Sequence, residues 1–147
     1  MAKKIKNSSL ISEKLQFVAD LSRTSAWIGN RYTNFLKPYG ISTQQFNILR
    51  VLRSANDWMT MNKVNELLIH KSPNITRLAD KLVTKTLIER DRSAKDRREV
   101  YIKITDKGLK LLAKIDIEHE GELSDYMDSF TKEEAIFMTE ILKRIRS

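Results

Sequence analysis

The sequence predicts a mainly α-helical chain with one small β-hairpin set between helices. Three observations carry that prediction. Apolar residues recur at helical spacing along most of the 147 residues. Glycine and proline number only 4 and 2, too few for an all-β fold with its many tight turns. Near residue 100 the period changes to alternation, with Val100, Ile102 and Ile104 interleaved with Tyr101 and Lys103, as in a half-buried strand.

The elements follow in order. Residues 10–36 form a long first helix on Phe17, Leu21, Ile28, Tyr32 and Phe35. Leu15, Val18 and Trp27 widen its stripe, so two sides of this helix are expected to be covered. Pro38-Tyr39-Gly40 stops it. Ser42 then caps a second helix, with Gln45 three residues on in a capping-box pattern, and Phe46, Ile48, Leu49 and Leu52 run it to about Arg53. After a turn at 54–57, Trp58-Met59 is a short extended piece. Thr60 caps a third helix with Val64, Leu67 and Leu68 facing inward. Ser72 is the expected N-cap of a fourth helix, with Pro73 at its first position, where a missing N–H costs nothing. Its buried face is Ile75, Leu78, Ala79 and Leu82, which leaves Asn74, Thr76, Arg77, Asp80 and Lys81 outside. Strands at 87–92 and 99–104 enclose a polar tip. Thr105 caps the next helix on Leu109, Leu112 and Ile115; the pattern resumes at Leu123, Tyr126 and Met127, with Gly121 a candidate bend. Thr131 and Glu134 make a second capping box, opening a last amphipathic helix on Phe137, Met138, Ile141, Leu142 and Ile145.

The length favours a single domain, residues 1–147, large enough for a core without staples. With no cysteine, disulfides, thiolate metal sites and thiol switches are excluded, and a reducing cytoplasmic location is expected. No apolar run approaches the roughly 20 residues that span a bilayer, and the basic start MAKKIKNSSL lacks the apolar core of a secretory signal, so no membrane association is expected. The histidines His70 and His119 have Glu66, Glu118 and Glu120 near them in sequence, but a zinc site gathers three or four convergent ligands, so no metal and no cofactor is expected. Neither a nucleophile elbow, a phosphate-binding glycine loop nor an HExxH pattern is present, which points away from an enzyme.

The formal net charge is +8, and its distribution is uneven. Residues 60–105 hold eleven lysines and arginines against six acids, whereas 116–128 holds six acids and no lysine or arginine. A positive field attracts phosphate. The third and fourth helices, 60–68 and 72–85, are joined by about three residues, the spacing of a helix-turn-helix. In such a unit the second helix enters the major groove, which here presents Ser72, Asn74, Thr76, Arg77 and Lys81. Asn pairs with adenine and Arg with guanine in bidentate fashion. The hairpin adds Arg92, Lys95, Asp96, Arg97 and Arg98 as a wing. Arg98 is the candidate for insertion into a narrow minor groove, with Asp96 as its buttress. Alone, the tip would read as exposed ion pairs of little energy; directly after a helix-turn-helix, it reads as a second DNA contact. The chain is therefore expected to be a winged helix-turn-helix, with its DNA-binding lobe at 42–105 and helical dimerisation segments at 10–36 and 106–147. Apolar faces at both chain ends need a partner.

The segment 36–108 also resembles the MarR family of bacterial transcriptional regulators. The residues that carry the resemblance are LKPYGISTQQFNILRVL, the run NITRLADKLVTKTLIER, the tip Asp96-Arg97-Arg98 and the exit Ile104-Thr105-Asp106-Lys107-Gly108. One departure is Thr86, where the family usually has glycine before the first wing strand. The resemblance implies a homodimer built by the terminal helices, a pseudo-palindromic double-stranded DNA operator, and often repression relieved by a small aromatic effector. By position, Trp27, Tyr32, Phe46 and Trp58 are candidates to line an effector pocket, with plain core filling as the competing role. The alternative function is a winged-helix module that docks another protein without sequence-specific DNA binding; it leaves the basic wing unused. A small-molecule binder with no DNA role also leaves the wing unexplained.

Overall fold

The computed structural model describes residues 2–91 and 98–147. Among them the chain forms α1 (Ala2–Leu36), a 3-10 turn (Lys37–Tyr39), α2 (Thr43–Ala55), β1 (Met59–Thr60), α3 (Met61–Leu67), α4 (Ile75–Thr84), β2 (Ile88–Asp91), β3 (Tyr101–Ile104), α5 (Asp106–Met127) and α6 (Lys132–Ile145). The predicted fold class holds, and it gains a third strand. β1 and β2 both pair antiparallel with β3, in the order β1-β3-β2, with Met59 opposite Ile102 and Ile88 opposite Ile104.

Local chemistry sets most boundaries. Gly40 ends the 3-10 turn at φ 69°, a left-handed conformation that costs glycine nothing. Ser42 accepts from the Gln45 N–H while the Gln45 side chain accepts from Ser42 N–H, a complete capping box at the start of α2. Thr131 and Glu134 close the same box on α6. Thr60 and Thr105 cap α3 and α5 through their hydroxyls. α5 runs unbroken through Gly121, so the expected bend there is absent. α1 begins eight residues earlier than the apolar pattern suggested.

The core lies in the middle of the chain. Among the described residues its buried apolar side chains fall between Leu36 and Ile115, with Phe46, Ile48, Leu49, Leu52, Val64, Leu82, Ile88, Ile102 and Leu112 among the most enclosed. Leu67, expected inside, is exposed; Val64 and Leu68 take the inward positions on that helix. Gly108 is required where α5 meets the start of β2: a Cβ there would lie 2.4 Å from the Leu87 carbonyl oxygen and 2.7 Å from Ile104 Cγ1. The Thr105-Gly108 exit therefore serves two contacts, a cap and a close backbone approach.

Candidate nucleic-acid interface

α4 packs on the core through Ile75, Ala79 and Leu82, with Leu78 half-buried. This fixes its other face toward solvent. Asn74, Arg77 and Lys81 are all exposed, and their spacing of three and four residues sets them in one stripe. Neither Arg77 nor Lys81 forms an ion pair with another described residue. Thr76 is exposed too, although its hydroxyl donates a weak bond to Met61 Sδ at 3.5 Å. A helix of ten residues is about 15 Å long and fits a major groove about 12 Å wide.

The entry to α4 differs from the sequence reading. Ser72 is not the N-cap; the helix starts at Ile75 behind Asn74, whose side chain makes no capping bond. Ser72 is only 5% exposed. Its N–H donates to Asn65 Oδ1 at 2.8 Å, and its hydroxyl accepts from the Asn74 N–H at 3.3 Å. The hydroxyl is thus spent on a turn two residues ahead, a common local alternative to a helix cap. Pro73 lies before the cap, and the connector from α3 is longer than expected. Buried in this way, Ser72 presents its side chain to the fold rather than to the outer stripe.

The wing strands rise beside this helix. Arg98 is exposed at the turn that leads into β3. Arg92, Lys95, Asp96 and Arg97 lie outside the described residues. At the base of the wing, Arg90 on β2 donates to Asp80 on α4 at 2.5 Å, and its side chain is only 16% exposed. No periodicity in the sequence marks this pairing, since the two residues belong to different elements. The turn between them carries Thr86 at φ 59°, left-handed and uncommon for a β-branched residue. Its hydroxyl donates to the Lys85 carbonyl, Lys107 Nζ donates to that carbonyl and to the Thr86 hydroxyl, and the Thr105 hydroxyl donates to the Thr86 carbonyl. These bonds hold where glycine would have sat without strain.

The aromatic residues proposed as a pocket do not gather around a shared space. Tyr32 packs on Phe46 with ring centroids 5.7 Å apart and on His119 at 4.8 Å, which fills the seam between α1, α2 and α5. Trp27 meets Tyr126 edge-on at 5.6 Å, with the Arg31 guanidinium over both rings. Trp58 is 38% exposed just before β1 and joins none of these ring contacts among the described residues. Of the four, only Tyr32 and Phe46 share a ring contact. A cavity of about 500 Å³ opens elsewhere, between α2 and the end of α3, lined by Asn47, Arg50, Val51, Met59, Leu68 and Ile69 among others.

The acidic run of α5 has structural partners. Arg31 reaches Glu122 at 2.7 Å and Asp125 at 3.4 Å, and Arg53 reaches Asp116 at 2.5 Å. Burial among Tyr32 and Phe35 lowers the pKa of His119; Arg50 pushes the same way, against Asp116 and Glu122. Burial raises Tyr32. Tyr39 is pushed up to about 12 by burial and by the hydrogen bond that it donates to Glu118. Among the described residues no group of His, Asp and Glu is placed to hold a metal ion, and no helix is long and apolar enough to cross a membrane.

Known proteins share this arrangement. The family model for the transcriptional regulator SarA/Rot matches residues 31–115. The HTH-type transcriptional regulator MhqR of Bacillus subtilis strain 168 is 29% identical over 136 residues, covering 92% of this chain and 93% of its own. Among solved structures, a mutant MarR from E. coli complexed with operator DNA superposes with a TM-score of 0.78 at 22% identity, covering 90% of this chain and 95% of that one. The S. aureus MepR–DNA complex gives 0.76 at 22% identity, covering 88% and 95%. At such identities the structural likeness is one of fold.

Proposed function

The chain belongs to the SarA/Rot family of transcriptional regulators, and from that premise we propose that it acts as a homodimer that recognises a pseudo-palindromic operator in double-stranded DNA. It is a regulator and not an enzyme, as its family and relatives are. One observation carries the DNA reading: the outer stripe of α4, with Asn74, Arg77 and Lys81 exposed on a helix whose opposite face is locked into the core. Asn74, Thr76 and Arg77 are the base-reading side chains, and Lys81 lies further along the groove. Arg98, with Arg92, Lys95, Asp96 and Arg97 of the tip, makes the wing contact to the neighbouring minor groove. Ser72 supports this surface by shaping the turn ahead of α4.

The dimer is supported by α6, which has no buried residue yet leaves Ile136, Phe137, Met138 and Ile145 exposed. α1, α5 and α6 are the elements that build it, and 42–105 is the DNA-binding lobe. Its place of action is the cytoplasm, where the DNA is. The mode of action is repression released by a small aromatic effector; the cavity beside Arg50 has the size and the mixed apolar and cationic lining for such a molecule.

Fluorescence anisotropy with genomic duplexes tests the DNA reading. The parent should show a steep salt dependence and a strong preference for one site. Arg77→Ala should cost about 1–3 kcal/mol and relax the preference at one base position, whereas Arg98→Ala should weaken all sites alike and lower the salt slope by about 1. Binding by both variants at the parental level would refute the groove assignments; weak binding indifferent to sequence would favour protein docking.

A further inference from the structure

We infer that Arg90 and Asp80 form a positioning strut that sets the wing against the recognition helix, so that a carboxylate on the DNA-facing side strengthens DNA binding instead of opposing it. The inference rests on the DNA reading above and goes beyond it, because neither residue is assigned a DNA contact.

Asp80 stands three residues after Arg77 and four after Thr76, so it borders the proposed base-reading stripe. Its side chain is 54% exposed. A carboxylate there faces phosphate and, left alone, repels it. Arg90 lies opposite Ile102 in the sheet and one residue before Asp91, the last described residue of the strand that feeds the wing. Its guanidinium turns away from solvent, toward α4, and meets Asp80 Oδ1 through Nη2. A basic residue in a segment rich in bases is thus withdrawn from the DNA surface and used across a helix–strand gap. The pair neutralises the carboxylate and ties the first strand of the wing to the helix about one turn past Arg77. Arginine suits this, because its guanidinium is always charged and fixed in plane.

The two roles open to Asp80 predict opposite signs. As a bystander charge, its removal lessens repulsion, so Asp80→Asn tightens binding and leaves the wing contacts intact. As a strut, Asp80→Asn frees the wing, so binding weakens by about tenfold despite the lost negative charge. The slope of log K against log salt then becomes shallower by about 1–2, one unit for roughly each phosphate contact that the wing gives up. Arg90→Gln should do the same. The double variant Asp80→Asn/Arg90→Gln should be no weaker than either single variant, because both remove one interaction. Arg90→Lys, which keeps a charge, should restore part of the loss. Circular dichroism and melting curves confirm that each variant is folded, and Asp80→Asn alters an exposed group, so it remains informative if Arg90→Gln does not fold. Tighter binding by Asp80→Asn, or effects of the two single variants that add in the double, would overturn the strut. Absence of salt-sensitive, site-selective binding by the parent protein would instead overturn the DNA reading on which it rests.

Discussion

The winged lobe and the helical arms are built on opposite terms. In the lobe, three short helices and three strands share one enclosed core, and residues such as Leu49, Val64, Leu82 and Ile102 are fully buried within a single chain. In the arms, α6 buries nothing, Phe137 is 63% exposed, and Leu15, Phe17 and Val18 of α1 face outward. Both regions are amphipathic in sequence. The difference is that the lobe carries its own partner surface and the arms do not. The many large apolar side chains left outside on the arms, against few on the lobe, are what supports the proposed association through the chain ends.

The contrast can be broken from the arm side first. Phe137→Glu places a charge in the unpartnered apolar face of α6. Sedimentation at micromolar concentration should then show a monomer, and operator affinity should fall by about 100-fold or more, as expected when two half-site contacts are no longer linked. The lobe should keep its helical spectrum. A variant that stays dimeric with parental affinity would show that α6 is not the interface.

The lobe side gives the next effect. Leu49→Ala removes a fully enclosed side chain and should cost about 2–5 kcal/mol of stability in chemical denaturation. The same substitution at exposed Leu15 should cost far less in the isolated monomer. A smaller effect of opposite sign is expected at the α4–β2 turn. Thr86→Gly relieves a left-handed strain of about 1–2 kcal/mol, offset by the greater freedom of glycine in the unfolded chain. A net gain of about 0.5–1 kcal/mol, seen as a rise of a few degrees in Tm, should follow; a loss would mean that the hydroxyl bonds of Thr86 outweigh the strain.

The smallest effect concerns pH and lies at the seam that joins the two regions. His119 has a folded pKa below its ordinary value of 6.5, so the unfolded chain binds the proton first as pH falls. The stabilisation from a neutral His119 is therefore fully present above 6.5 and declines below it, down to the folded pKa. His119→Gln should flatten stability against pH in that window, as measured by urea melts at stepped pH. An unchanged slope would exclude the imidazole as its source.

What the sequence made legible was mostly local. The capping boxes at Ser42 and Thr131 and the alternation in β3 depend on neighbours a few residues apart, and the structure places them as read. The buried face of α4 followed from period alone, so its exposed stripe was legible too. The misreadings share a cause in tertiary contact. Ser72 looks like a cap, but Asn65 from the preceding helix holds its N–H and the chain turns once more before α4 begins. Leu67 has the right spacing to be buried, but the short α3 leaves it outside. The sequence also grouped Trp27, Tyr32, Phe46 and Trp58, of which only Tyr32 and Phe46 share a ring contact. The Arg90–Asp80 pair spans a turn and two element types, and no period in the sequence marks it.

Selection of bound fragments from a genomic library, followed by footprinting of the best site, reads the symmetry of the DNA complex itself. A twofold assembly with α4 in the groove predicts two inverted half-sites whose centres are about 34 Å apart, one turn of the duplex, on the same face of the DNA. Protection of a lone half-site, or enrichment of no sequence at all, would contradict it.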